Sequence, residues 1–312
     1  MQSNVDIVIQ KDGYRSKIHC FHTLEKPKSS VLILHGMAEH YKRYIATAKA
    51  FNANGIDVYL YDHRGHGEQT LLKDLGYISE KKGYNLLVQD GIEICRHINS
   101  IKRTENLILM GHSMGSLIAR NIILDYKDFS GIILCGSTQP STLKLNPGIF
   151  LSNLIILRYG AKHKSPFFHN ILFGQGYYKK LLKGTSYDWL SNNKASVGAY
   201  IHDPYCGFIC TISFYKDLLS LALKAQKLRP LKQANLRSPL LIISGSKDPV
   251  SCYGKEITKI ASLYKKTGNQ VTVKLYEGLR HELLQEKNAH DIVNDIINWI
   301  SNETKSSNET KS

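Results

Sequence analysis

Residues 107–115 read Leu-Ile-Leu-Met-Gly-His-Ser-Met-Gly, a short apolar strand that breaks at a glycine-flanked serine and runs on into the helix-forming Ser-Leu-Ile-Ala of 116–119. A strand that reverses at once into a helix leaves no room for side chains beside the bend. Gly111 and Gly115 therefore stand where a β-carbon would clash, and Ser113 is held, strained and exposed, at a helix N-terminus. As five letters, G-x-S-x-G is a weak pattern, and the strand before and helix after give it meaning. The arrangement points to a serine nucleophile that attacks a carbonyl.

Such a serine needs a base, an acid to orient the base and donors for the oxyanion, and behind an elbow of this kind the acid and then the base follow in chain order. Pro239-Leu-Leu-Ile-Ile-Ser-Gly245 is an apolar strand ending in a turn, and Asp248 follows it as the predicted acid. Val271–Tyr276 alternates as a strand should, and five residues later stands His281, the predicted base. Val31-Leu-Ile-Leu34 opens into the small-residue turn His35-Gly36-Met37-Ala38. The backbone N–H of Met37 is thereby expected to join that of Met114 in an oxyanion hole.

With these segments in place the chain resembles the α/β-hydrolases, and within them the monoacylglycerol lipase and lysophospholipase branch. The resemblance rests on His35-Gly-Met-Ala-Glu-His40, Asp62-His-Arg-Gly-His-Gly67, Gly111–Gly115, Gly245-Ser-Lys-Asp-Pro-Val250 and the His281 loop. Tyr187–Ser191 and Asp203-Pro-Tyr-Cys-Gly-Phe208 resemble the cap of bacterial lysophospholipase-like members. The chain departs from many relatives at Glu68-Gln69, where a serine is common. The resemblance implies an ester-cleaving enzyme with a Ser113, Asp248 and His281 triad, no cofactor, no metal, and a monoacylglycerol or lysophospholipid substrate.

The wider pattern agrees. Apolar strands near 31, 56, 107, 131, 239 and 271 alternate with helix-like stretches near 41–54, 83–102, 115–127, 251–266 and 288–300. That alternation predicts an α/β fold, a mostly parallel sheet covered by helices on both faces. Val5–Ile9 and Arg15–Thr23 are expected to add antiparallel edge strands. The organisation read from the sequence is a hydrolase core over 1–140 and 238–300, an inserted helical cap over 141–237, and a disordered tail over 301–312, where Ser-Asn-Glu-Thr-Lys-Ser occurs twice. The six cysteines form no C-x-x-C pair and the polar N-terminus lacks a signal-peptide core, so a cytoplasmic protein with reduced thiols is expected.

Charge is concentrated in the insertion. The chain carries 41 Lys and Arg against 26 Asp and Glu, a net +15, and residues 141–187 contain no acid at all while holding apolar runs such as Leu154-Ile-Ile-Leu157. Such a segment beside an active site suits peripheral contact with an anionic membrane surface. A solvated cover over the core is the other reading. Nucleic acid is not expected, because the excess is lysine-rich and no binding motif is present.

Several residues invite other readings. His63 and His66 lack the helical setting and glutamate of a zinc site. His35, His40 and His112 are expected to shape the oxyanion loop and elbow by hydrogen bonding, and Cys206, Cys210 and Cys252 to be buried. Three rival functions remain: a small-ester carboxylesterase or thioesterase, a proline iminopeptidase-like aminopeptidase, which would need carboxylates to hold a substrate amine, and a non-catalytic binding protein, which has no need of a triad.

Overall fold

The structure is a computed structural model that describes residues 2–173 and 178–309, with side chains as far as 303. Eight strands form one sheet in the order β1-β2-β4-β3-β5-β6-β7-β8. These are β1 (Gln2–Ile9), β2 (Arg15–His22), β3 (Ser29–Leu34), β4 (Ile56–Tyr61), β5 (Leu107–His112), β6 (Gly131–Cys135), β7 (Leu240–Gly245) and β8 (Val271–Tyr276). From β4 to β8 neighbours run parallel, while β1 and β2 pair antiparallel at one side. β1 is the edge, and β2 lies between it and β4.

The central strands are apolar without interruption because both faces are covered. Along β3, Leu32 and Leu34 face one hydrophobic cluster and Val31 and Ile33 the other, the two-residue period of a pleated strand. The first cluster is built by α2 (Gly83–Ile101), α3 (Met114–Asp125) and α9 (Lys255–Lys265), the second by α1 (Ile45–Ala53) and α10 (Ala289–Glu309).

Between β6 and β7 the insertion supplies α4 (Thr142–Tyr159), α5 (Pro166–Phe173), α6 (Lys194–His202), α7 (Ile212–Ala225) and α8 (Leu228–Ala234). The insertion is not a separate body throughout. Phe214, Tyr215 and Leu221 of α7 join the same cluster as the sheet, and Asn121 of α3 donates to Leu221 O at 3.1 Å.

The terminal helix corrects one expectation. Helix replaces the predicted disorder as far as Glu309, and 310–312 lie outside the described residues. The repeat contains neither Pro nor Gly, so extending a helix already nucleated on the core needs only one more hydrogen bond per residue. All six cysteines are free thiols, and Cys252 alone among them is not fully buried.

Candidate active site

β5 brings His112 to the C-terminal edge of the sheet, and the chain turns at once into α3. Ser113 occupies the turn with φ 50° and ψ −117°, a conformation that costs a non-glycine residue about 1–3 kcal/mol and persists only where packing imposes it. The packing is visible at the two glycines. A β-carbon on Gly115 would lie 2.1 Å from Leu34 O of β3, and one on Gly111 2.4 Å from Gly115 O. The Ser113 amide donates to Cys135 O at 2.9 Å, fastening the elbow to β6.

Asp248 and His281 arrive from the loops after β7 and β8. His281 Nδ1 lies 3.1 Å from Asp248 Oδ1, and both side chains are buried. Asp248 is fixed in turn by Ser244 Oγ at 3.0 Å and by the Val250 amide at 2.8 Å. The amides of Ser246 and Lys247 donate to Tyr276 O and Leu279 O, each at 2.8 Å, so the Asp248 and His281 loops form one unit. Glu282, next to His281 in the chain, is held by Arg43 instead. The His281 ring stands 4.8 Å from that of His112, the neighbour of Ser113, and Ser113 and His281 line the same cavity.

The loop after β3 runs against Ser113, since a β-carbon on Gly36 would sit 3.3 Å from Ser113 Cβ. Met37 and Met114 both line the cavity. Among the described residues neither amide donates to another protein group. Ala38, at φ 53°, turns the loop. Its amide donates to His66 Nε2 at 3.2 Å, and its carbonyl accepts from Tyr200 Oη and the Gly207 amide, each at 2.9 Å. The cap is thereby bonded directly into the oxyanion loop.

Electrostatics separate the histidines. Burial drives His35 to about 3 and His66 and His112 to about 4, and puts His63 well below its ordinary value. These rings are neutral, and their bonds fit a single tautomer: His35 donates from Nδ1 to Gly36 O at 2.7 Å and accepts at Nε2 from the His63 amide at 3.0 Å. His281 moves the other way. Burial pushes it down, but the charge of Asp248 and the bond to it outweigh that and raise it above its usual value. His281 is therefore the buried histidine at the cavity suited to take and hold a proton.

A second ionic group lies beside the first. Arg43 donates through Nη1 to Glu39 Oε2 at 2.6 Å and to Glu282 Oε1 at 2.5 Å, and through Nη2 to Glu282 Oε2 at 2.7 Å. Glu39 Oε1 accepts from the Gly36 amide at 2.5 Å and from Tyr44 Oη at 2.8 Å. The pair Glu39 and Arg43 is four residues apart and visible in the sequence, whereas Glu282 lies at a separation of 239 and only folding brings it there.

The cavity measures about 560 Å³ and is mainly apolar, with Leu117, Leu145, Leu172, Phe173 and Leu219 in its wall. The cap segment around Trp189 roofs the base, its indole 5.3 Å from the His281 ring. Three carboxylates reach the wall, and each is engaged: Glu39 and Glu282 by Arg43, and Glu256 by Thr138 Oγ1 and by the Gln139 amide at 2.7 Å. His40 bonds not the elbow but Asp203 of the cap, at 2.8 Å. With Cys206 these two form a group, among the described residues, that could surround a metal ion, the donor atoms lying within 4.8 Å of one another. Its histidine and aspartate already satisfy each other.

A family profile described as serine aminopeptidase, S33 matches residues 25–288. The monoacylglycerol lipase of Mycolicibacterium smegmatis is 28% identical over 88% of this chain and 88% of its own length. A probable lysophospholipase L2 of Haemophilus influenzae is 23% identical, covering 92% of this chain and 90% of that protein. In three dimensions a thermostable carboxyl esterase from Bacillus coagulans, solved with glycerol, superposes with a TM-score of 0.85 at 24% identity, over 97% of this chain and 99% of that one.

Proposed function

The chain belongs to the serine aminopeptidase S33 family of hydrolases, and from that premise we propose that it hydrolyses carboxylic esters of lipids, of the monoacylglycerol or lysophospholipid class, through an acyl-enzyme on Ser113. His281 takes the Ser113 proton as Oγ attacks the ester carbonyl. The amides of Met37 and Met114 receive the developing oxyanion, Asp248 balances the imidazolium, and His281 then activates water to release the acid. No cofactor enters the reaction.

The observation that carries this reading is the meeting of the strained Ser113, the buried Asp248–His281 pair and a cavity with an apolar wall. Relatives named for monoacylglycerol lipase and lysophospholipase activity support the substrate class. The aminopeptidase reading loses support at the same place. A substrate amine needs a free carboxylate, and the three that line the cavity are already paired.

The cap is the proposed contact with an anionic membrane surface. On α4, Leu143, Phe150, Leu154 and Leu157 lie on one helix face and are exposed, Leu143 and Leu157 by 86%. Phe167 and Ile171 of α5 are exposed as well. Lys179, Lys180 and Lys183 stand exposed in the same acid-free stretch. Exposed apolar side chains and lysines in one acid-free stretch suit entry into the headgroup layer of an anionic membrane.

The test is fluorophosphonate labelling, followed by turnover of p-nitrophenyl esters of graded length, monoacylglycerol, lysophosphatidylcholine and an amino-acid amide. Wild-type protein is expected to label and to favour the lipid esters, and Ser113→Ala to lose both labelling and turnover while keeping its thermal midpoint. Amide hydrolysis without ester hydrolysis overturns the proposal.

A further inference from the structure

Arg43 lies beside His112 of the elbow and hydrogen-bonds the two loops that flank Ser113 and His281. One carboxylate it holds, Glu39, fixes the Gly36 amide immediately before Met37. The other, Glu282, follows His281 directly, and its own amide donates to Leu190 O of the cap at 2.7 Å. The guanidinium also lies over the ring of Tyr200, 4.9 Å from its centroid, while Tyr200 Oη holds Ala38 O. The oxyanion loop, the base loop and the cap thus meet on one planar cation. The planar guanidinium fork bonds Glu282 bidentately and Glu39 at once, a fixed geometry that a compact lysine ammonium reproduces only in part.

We infer that Arg43 is a positioning residue for ester hydrolysis, setting the distance between the Met37 amide and His281 by holding Glu39 and Glu282 at once. The inference rests on the ester-hydrolase reading but concerns a residue that this reading leaves unused. Its effect falls on transition-state geometry rather than on substrate binding, because Arg43 itself is not among the residues that line the cavity and acts through Glu39 and Glu282, which are. A misplacement of about 1 Å at such a site costs about 10²-fold in rate. Charge adds a second signature. His281 faces Asp248, Glu282, Glu39 and the neutral His112. Removing the cation alone leaves Glu39 and Glu282 uncompensated, which favours the imidazolium and moves the acid limb of the rate profile to higher pH.

The experiment compares Arg43→Lys, Arg43→Met and the uncharged triple variant Glu39→Gln/Arg43→Met/Glu282→Gln with wild type on a soluble short-chain p-nitrophenyl ester. Thermal midpoints are measured alongside. The expected result is kcat about 10²-fold lower in Arg43→Met and in the triple variant, with KM little changed, and partial rescue by Arg43→Lys. The acid limb should move up in Arg43→Met and down in the triple variant, which removes both carboxylates. If Arg43→Met unfolds, the triple variant decides, since it carries no unpaired buried charge. A folded triple variant with wild-type kcat, or a loss confined to KM, overturns the positioning role. Failure of wild-type protein to cleave any ester falls instead on the proposed function.

Discussion

Residues 187–211 and residues 142–183 belong to one insertion, yet among the described residues only the first hydrogen-bonds to the loops around Ala38 and His281. In the rear part, Arg280 donates to Asp188 O and, at 3.2 Å, to Ser191 O; Leu190 O accepts from Glu282; Tyr200 and Gly207 hold Ala38 O; and Asp203 holds His40. The front part instead hangs on the start of α7: Ile212 and Ser213 donate to His163 O and Ala161 O, and Tyr215 Oη pairs with His169. It leaves large apolar side chains in water. A shared chain segment therefore serves two ends. The rear is bonded to the loops around Ala38 and His281, and the front exposes large apolar side chains, the surface proposed to meet lipid.

The largest expected effect falls on the loop that carries Asp248. Asp248→Asn is expected to lower kcat by about 10⁴, as the loss of the acid does in other such triads, for every substrate alike. Near-normal turnover would remove Asp248 from the reaction, and with it the reason for the rear cap to be bonded around the His281 loop.

A smaller effect separates the two cap regions. Arg280→Met removes both bonds to the 188–191 segment and should reduce kcat/KM about tenfold or more on short and long esters equally, at about 1 kcal/mol or more for each bond lost. Unchanged turnover of short esters would make the rear cap a cover like the front.

The front should respond only to the form of the substrate. Phe150→Ser with Leu157→Ser is expected to leave a soluble short ester unaffected and to weaken binding to anionic vesicles, each side chain contributing about 1.5–3 kcal/mol if fully buried. The triple change of Lys179, Lys180 and Lys183 to Gln should weaken binding by about 1 kcal/mol per charge at low salt and by less as salt rises. Equal binding to neutral and anionic vesicles, or to neither, in a sedimentation assay would make the front a solvated cover.

The parts of the site legible in the sequence are those written in short windows. Gly111–Gly115 spells the elbow because steric exclusion acts on neighbours in the chain. Asp248 and His281 each follow a strand whose apolar pattern announces where its loop must emerge, and all eight strands stand close to where period and turn residues put them. Residues 301–309 are helical although their composition is polar, because composition says nothing of a helix propagated from a buried one.

Local sterics and hydrophobic period in the sequence were enough for a mostly parallel sheet, for the elbow at Ser113 and for the loops that carry Asp248 and His281. Tertiary structure decided which charges meet. Arg43 with Glu282, Ala38 O with Tyr200, and His40 with Asp203 are joined across 239, 162 and 163 residues. No local pattern encodes such pairs. They are selected because a buried charge or carbonyl must find a partner wherever the packed chain brings one.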